Sequence, residues 1–439
     1  VLIFPDNLKF LIFVPLVVNF HAGMRKGIRS THLVVIGHLV AILLLVATCD
    51  SIKTEENLTG IFHPSGEEFA GSKTCVTCHP AIVASHANTP HSLTSRPGSI
   101  STILGNFDSG ANEFMLNERL RVMVVKSDSG LFQRAMVDGI EVDKKPMEVT
   151  LGSGRQGQTY LFWKDGVLFQ LPVSYHSASD SWTNSPGYPT DQIVFNRSIQ
   201  ARCLECHSTY FKIGRLTTDG QAFDRDQVIL GVDCERCHGP AGRHVNFQME
   251  NPGEKEAKYM INPARLTRQQ KLDNCALCHS GIRDNFLPSF SYTVGDDLDD
   301  YFFPSRAPDS STMLDVHGNQ YGLLSGSKCF RMSEMDCSSC HNVHAKETKQ
   351  VEVFSARCMN CHQEGSDKFC KQPITAGLVL NKNCIDCHMP ALPSRKVFLR
   401  SSSTSKSTPF YVRTHLVGIY EEQVKLYLEK IEEEKTGVD

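Results

Sequence analysis

The 439-residue sequence lacks a charge excess of either sign, with 45 Lys and Arg against 48 Asp and Glu, a formal net charge of -3 and a pI near 6.7. No overall basic field is present to attract nucleic acid or an anionic membrane face. Glycine (31) and proline (20) are too sparse for collagen, and 41% hydrophobic with 8% aromatic residues excludes long disorder. Long hydrophobic runs are confined to the first 48 residues, which excludes a polytopic membrane protein. What the sequence has in abundance is 17 Cys and 18 His. Cys is common only in small secreted disulfide scaffolds, metal-site proteins and cofactor-bound chains.

Fourteen of the cysteines form seven CxxC pairs: Cys75/Cys78, Cys203/Cys206, Cys234/Cys237, Cys275/Cys278, Cys337/Cys340, Cys358/Cys361 and Cys384/Cys387. In every pair the next residue is histidine: His79, His207, His238, His279, His341, His362 and His388. CxxCH is the covalent attachment motif of c-type haem, and at this composition chance would supply about 0.03 occurrences. Two thiols on one helical turn can form thioethers to the two vinyl groups on one porphyrin edge, and the adjacent His then lies under the ring and binds iron. Zinc sites and dithiol redox pairs also use CxxC but tolerate any following residue, whereas His follows seven times out of seven. Seven covalently bound haems are expected, each with its motif His as proximal ligand.

Haem iron takes two axial ligands. The histidines left beyond the N-terminal segment are His63, His86, His91, His176, His244, His317, His344 and His415, eight for seven open positions. This near-equality favours mostly bis-His haems, with His86, His91, His176, His244, His317, His344 and His415 as distal candidates. His63, in a Pro/Gly-rich stretch, is the doubtful member. Met389 follows His388 directly and cannot reach the far face of the same ring. His344 and His244 follow their nearest motifs too closely to wrap those haems, so each is expected to serve a neighbouring one.

Residues 24–49 carry a basic stretch (Arg25, Lys26, Arg29) and an apolar run from Leu33 to Ala47, the pattern of an export signal starting at Met24. Residues 1–23 then read as upstream of the true start; the alternative is two short membrane passes, 1–20 and 33–48. The run ends V-A-T-C, an approximate lipoprotein box with Cys49 as the acylated residue. A periplasmic or cell-surface lipoprotein of a Gram-negative bacterium is the expectation, with a disulfide between Cys329 and Cys370 or two free thiols there as alternatives. Residues 1–48 carry a net +3, so the chain from Cys49 carries -6, and seven ferric bis-His haems bring it to about -13. Partners with basic docking surfaces are favoured.

The expected fold class is a mainly α and irregular multihaem cytochrome c fold with a β-rich insertion between the first and second haems. The expected segments are 1–48 (upstream segment and signal), 49–70 (linker), 71–99 (first haem), 100–200 (β-rich insertion), 201–415 (six haems) and 416–439 (amphipathic helix). Residues 119–142 alternate apolar positions around Asp-Ser-Gly and Asp-Gly turns, and 158–175 read as a hairpin about Lys164-Asp165-Gly166.

The blocks GSKTCVTCHPAIVASHANTPHS (71–92), CERCHGPAGRH (234–244), CALCHSG (275–281), DVHGNQYGLLSGSKCF (315–330), CSSCHNVH (337–344), NCIDCHMP (383–390) and RTHLVGIY (413–420) resemble multihaem cytochromes of the cytochrome c-554 and hydroxylamine oxidoreductase superfamily. The resemblance runs from about residue 70 to 420. It implies His91, His244, His317, His344 and His415 as distal ligands and haems stacked in parallel or perpendicular pairs. Enzymes of that superfamily include octahaem chains with a five-coordinate catalytic haem, some with a CxxCK motif, which this chain does not have.

Three functions follow. The first is an electron-transfer cytochrome passing electrons between a quinol-linked membrane donor and a terminal reductase or extracellular acceptor. The second is an oxidoreductase of nitrite, hydroxylamine or tetrathionate at one open haem, with the second motif beside Tyr210 and Phe211 as first suspect. In the third, the β-rich region docks a partner or builds an oligomer or filament through its hairpin edges.

Overall fold

Two Asp-Gly dipeptides set the topology of the first half of the chain. Asp138-Gly139 has φ of 49° and 82°, and Asp165-Gly166 has 50° and 77°. Positive φ at both central residues gives the type I′ turn, whose twist matches that of the flanking strands. Val137 accordingly pairs with Ile140, and Lys164 with Val167. The computed structural model describes residues 60–436 apart from 190, 304–313, 348–349, 371–381 and 402–406. The expectations on Met24, the signal and Cys49 lie outside the described residues.

The first strands are β1 (Ser95–Pro97), β2 (Glu113–Met115), β3 (Leu120–Ser127), β4 (Gly130–Val137) and β5 (Ile140–Pro146). β2 to β5 form an antiparallel sheet in sequence order. Alternation along β3 and β4 sends Val122, Val124 and Leu131 inward, where they pack with Phe114, Tyr160, Phe169 and Trp182.

A larger sheet follows, from β6 (Val149–Leu151), β7 (Gly157–Lys164), β8 (Val167–Gln170), β9 (Val173–His176), β10 (Ser181–Asn184), β11 (Arg197–Ser198), β12 (Ser208–Leu216) and β13 (Gln221–Leu230). Its spine runs β1-β6-β7-β8-β13-β12, with β9 on β7, β10 on β9 and β11 on β8. The buried Gln133 amide of β4 donates to Val173 O at 2.7 Å and accepts from Val173 N at 3.0 Å, tying the two sheets together.

The expectation of a mainly α and irregular chain needs correction, since strand is about as abundant as helix. The sheet continues through β12 and β13 beyond residue 200, where short helices and loops are expected. The reason is apolar: Tyr210, Phe211 and Phe223 close a core with Leu161, Leu168 and Phe290, so these strands gain more by joining the sheet than by wrapping a haem. A second pair, β14 (Ala391–Leu399) and β15 (Thr408–Arg413), stands apart.

Helices in the second half are short carriers of the motifs. The helix Arg268–His279 starts with a capping box between Thr267 and Gln270 and ends on the fourth motif. The terminal helix runs Glu421–Thr436 and not from 416. The residues before it are already engaged: Val417 N donates to Ser327 Oγ, and Gly418 O accepts from His388 Nδ1. Among the described residues no helix is long and apolar enough to cross a membrane.

Candidate haem-binding cavity

The CxxCH motifs are single turns closed by their own backbone. His79, His341, His362 and His388 each donate their amide N–H to the carbonyl of the first motif Cys at 2.9–3.1 Å. This turn places both thiols on one side with the imidazole beyond them. The second motif departs from it: His207 N donates to Leu204 O, one residue closer.

All the motif turns open on one large cavity of about 3730 Å³, several times the ~1,000 Å³ upper end of ordinary small-molecule pockets. Every motif histidine lines it, as do His86, His91, His176, His244, His317, His344 and His415. So do the motif cysteines except Cys203, which is exposed at the start of the helix Ala201–Glu205.

Imidazoles face one another across this space. Ring centroids of His238 and His344 lie 6.1 Å apart at 22°, those of His341 and His415 6.3 Å apart at 26°, and those of His91 and His279 6.0 Å apart at 69°. Two metal–imidazole bonds of about 2 Å each, plus the two ring radii, sum to about 6.3 Å. The pairs therefore stand at the separation one iron between them requires. His86 lies 6.5 Å from His344, and His317 neighbours His207 electrostatically. His176 and His317 flank Phe410 at 5.6 and 5.9 Å.

The hydrogen bonds fix which nitrogen is free. His238 donates Nδ1–H to Ile261 O at 2.9 Å, His244 to Lys258 O at 2.9 Å, His362 to Lys368 O at 2.6 Å, His388 to Gly418 O at 2.8 Å and His279 to Gln320 Oε1 at 3.2 Å. An imidazole whose Nδ1 carries the proton presents a bare Nε2, the ligating tautomer. Burial pushes His91 and His415 down to about 4, with nearby imidazoles adding to the effect, so both are neutral and ligand-competent at pH 7. The donor set and the spacing fit haem iron.

Thiols of different motifs also meet. Cys75 neighbours Cys234, Cys206 neighbours Cys278, Cys275 neighbours Cys337, and Cys358 neighbours Cys384. Cys237 lies beside Cys275, and Cys340 beside Cys358. Cys329 and Cys370 form no disulfide: the first sits by Cys340 and the second by Cys387, at different motifs.

Two sequence suspicions resolve differently. His63 is buried, holds Ser65 Oγ at 2.8 Å and packs edge-on to Phe69; it does not line the cavity. Tyr210 and Phe211 do not line it either, being sequestered in the sheet core, so no open site is built from them beside the second motif.

Sequence reading missed the residues inside the motifs. Glu235, between Cys234 and Cys237, accepts the N–H groups of Ala70, Gly71 and Ala241, each at 2.8 Å, fixing the first motif against the third. Glu205, inside the second motif and almost wholly buried, accepts from Phe290 N at 2.6 Å and Arg202 at 3.2 Å and lies 3.8 Å from Arg236 of the third. Arg236 also donates to Glu205 O at 3.0 Å. The available signal was the charge itself: an ionised residue that becomes buried between two motif cysteines needs a partner.

A family model described as cytochrome c554 and c-prime matches residues 174–239, which hold His176 and the second and third motifs. The multihaem cytochrome MtrA of Shewanella baltica (strain OS185) is 25% identical over 182 residues, 37% of this chain and 52% of that protein. These matches support a multihaem cytochrome c. The chain spans about half the length of that curated relative. The crystal structure of the outer cell wall cytochrome OcwA is similar at a TM-score of 0.48 and 17% identity, over 82% of this chain and 81% of that one. The multihaem cytochromes that it resembles carry covalently bound haem c.

Proposed function

We propose that the chain is an exported heptahaem c-type cytochrome carrying electrons between a membrane-linked donor and a reductase or extracellular acceptor. The observation that carries this reading is the single cavity lined by fourteen histidines, three pairs of which stand at the spacing of two axial ligands. Haem held there would supply reversible one-electron chemistry. The chain's own part is positional: motif thiols fix the porphyrin edges, the motif histidines and His86, His91, His176, His244, His317, His344 and His415 hold the axial positions, and carbonyl acceptors orient the rings.

Thiol neighbours support an order. The first motif adjoins the third, the third the fourth, the fourth the fifth, the fifth the sixth and the sixth the seventh, with the second attached to the fourth. The fourth motif is thus a junction. With His63 engaged elsewhere, seven distal histidines remain for seven haems, which favours a wire over an enzyme with an open iron. The β-rich segment from residue 100 is proposed as the scaffold against which the first two haem segments pack, and Cys49 as the lipid anchor.

The test is mass spectrometry and low-temperature EPR of the exported protein. Seven haem additions and low-spin ferric signals are expected. Fewer additions, or a substantial high-spin signal in the native protein, would overturn the heptahaem bis-His assignment.

A further inference from the structure

Directly after the fourth motif the chain leaves the cavity and forms a short surface ribbon. Asn285 bridges antiparallel to Phe302, Phe303 N donates to Asp284 O at 2.9 Å, and Phe286 N donates to Tyr301 O at 3.2 Å. This pairing sets the exposed Phe286 and Phe303 rings 5.3 Å apart, 47% and 56% exposed, on a segment that also exposes Ile282 and Leu287 at 90% and 40%. Scattered exposed apolar residues are ordinary, but a contiguous group is the mark of an interaction site.

The rim is acidic. Residues 282–303 contain five aspartates and one arginine, and Asp284, Asp297, Asp299 and Asp300 are exposed. Arg283 is turned inward, 9% exposed, donating to Asp299 and to the carbonyls of Phe302 and Phe303. The surface therefore shows an apolar centre and a negative rim.

Beneath the ribbon lies the junction. Cys278 packs against a cluster of Ala276, Leu277, Tyr292, Leu298 and Phe302. Phe302 is thus at once the inner neighbour of exposed Phe303 and part of the packing around the fourth motif. The cluster that holds Phe302 also packs against that thiol.

We infer that this ribbon is an electron port, docking a small redox protein that surrounds the exposed edge of its own redox group with Lys and Arg. The inference rests on the electron-transfer reading above and adds the place and charge of the partner. An apolar centre excludes water at contact, and opposed charge speeds encounter and sets orientation. A port at the junction lets one docking event feed both the branch to the second motif and the line running to the seventh.

The test uses the haem-loaded protein, reduced with dithionite, freed of excess reductant under anaerobic conditions and mixed by stopped flow with a ferric, lysine-rimmed monohaem cytochrome c. The second-order rate is expected to fall as salt rises. Asp297→Lys with Asp300→Lys should lower it about tenfold at low ionic strength. Phe286→Ser with Phe303→Ser should lower it by about as much while leaving the salt dependence in place. The control, Glu118→Lys with Asp128→Lys on the distant four-stranded sheet, should reproduce neither loss. Soret spectra confirm that each variant is loaded and folded, since all these side chains are exposed.

Equal loss in the control, or unchanged rates in both ribbon variants, overturns the port. Self-association in light scattering that Phe286→Ser abolishes also overturns it, because a second copy then covers the patch. A haem-loaded wild type that is reduced but passes no electrons to the probe at any salt refutes the port and leaves the haem reading standing. A chain without haem refutes the reading beneath it and the port together.

Discussion

Glu205→Ala is expected to destabilise the loaded protein through the charges it abandons. Its carboxylate is 1% exposed and serves Phe290 N, Arg202 and Arg236, whose side chains are 10% and 8% exposed. Removing one member of a buried ion pair costs about 3–5 kcal/mol, chiefly because the partner charge stays buried and unpaired. Unfolding about 380 residues at about 2.1 cal/mol/K each gives an entropy near 0.8 kcal/mol/K, so the loss appears as a fall in Tm of about 4–6 °C. Glu205→Gln keeps an acceptor for Phe290 N and should lose less, about 1–3 kcal/mol. Thermal melts followed in the Soret region, on wild type, Glu205→Ala, Arg236→Met and the double variant, make the measurement. The double variant should recover at least about 1 kcal/mol relative to the sum of the singles. Additivity within about 0.5 kcal/mol would refute the coupling between the second and third motifs.

Two further predictions concern single contacts. The Arg357 guanidinium, donating to Glu347 and to Cys340 O, holds the Glu347 carboxyl below the usual carboxylate range. A depressed folded-state value adds stability that is complete above the unfolded pKa of about 4.3 and is lost as pH falls through the folded value. Arg357→Met should therefore lower stability near neutrality and flatten its decline below about pH 4.3; an acid limb identical to wild type in an equilibrium titration counts against the pairing. Gly105 has a φ of 115°, and a Cβ there would lie 2.4 Å from the Trp182 ring. Gly105→Ala should cost about 1–3 kcal/mol, whereas Gly139→Asn, at φ 82° with open space around it, should stay within about 0.5 kcal/mol in the same melts.

The site was legible in the sequence because covalent haem attachment imposes an invariant local spacing. The facing of His344 to His238, of His415 to His341 and of His91 to His279 was not, since sequence distance says only that His344 cannot wrap the haem of its own preceding motif. The Asp-Gly turns were legible for a local reason too, both central residues needing positive φ. The extension of the sheet through Phe211 and Phe223 was hidden, because those aromatics sit directly after a haem motif and could as well have covered a porphyrin. The late start of the terminal helix was hidden as well. Leu416 to Tyr420 carries helical spacing, but its backbone is claimed by His388 and Ser327 from distant parts of the chain. The roles of Glu205, Glu235 and Arg236 depend on partners 31 to 165 residues away, which spacing cannot reveal.

The meeting of thiols from different motifs also constrains maturation. Cys75 and Cys234, Cys206 and Cys278, Cys275 and Cys337, and Cys358 and Cys384 are neighbours in the folded chain. In an oxidising compartment such neighbours are substrates for disulfide formation. A chain that collapsed before its haems were attached would hold these sulfurs ready to cross-link and so consume its own attachment sites. On the proposed exported heptahaem reading, ligation precedes closure, with each motif loaded while still extended.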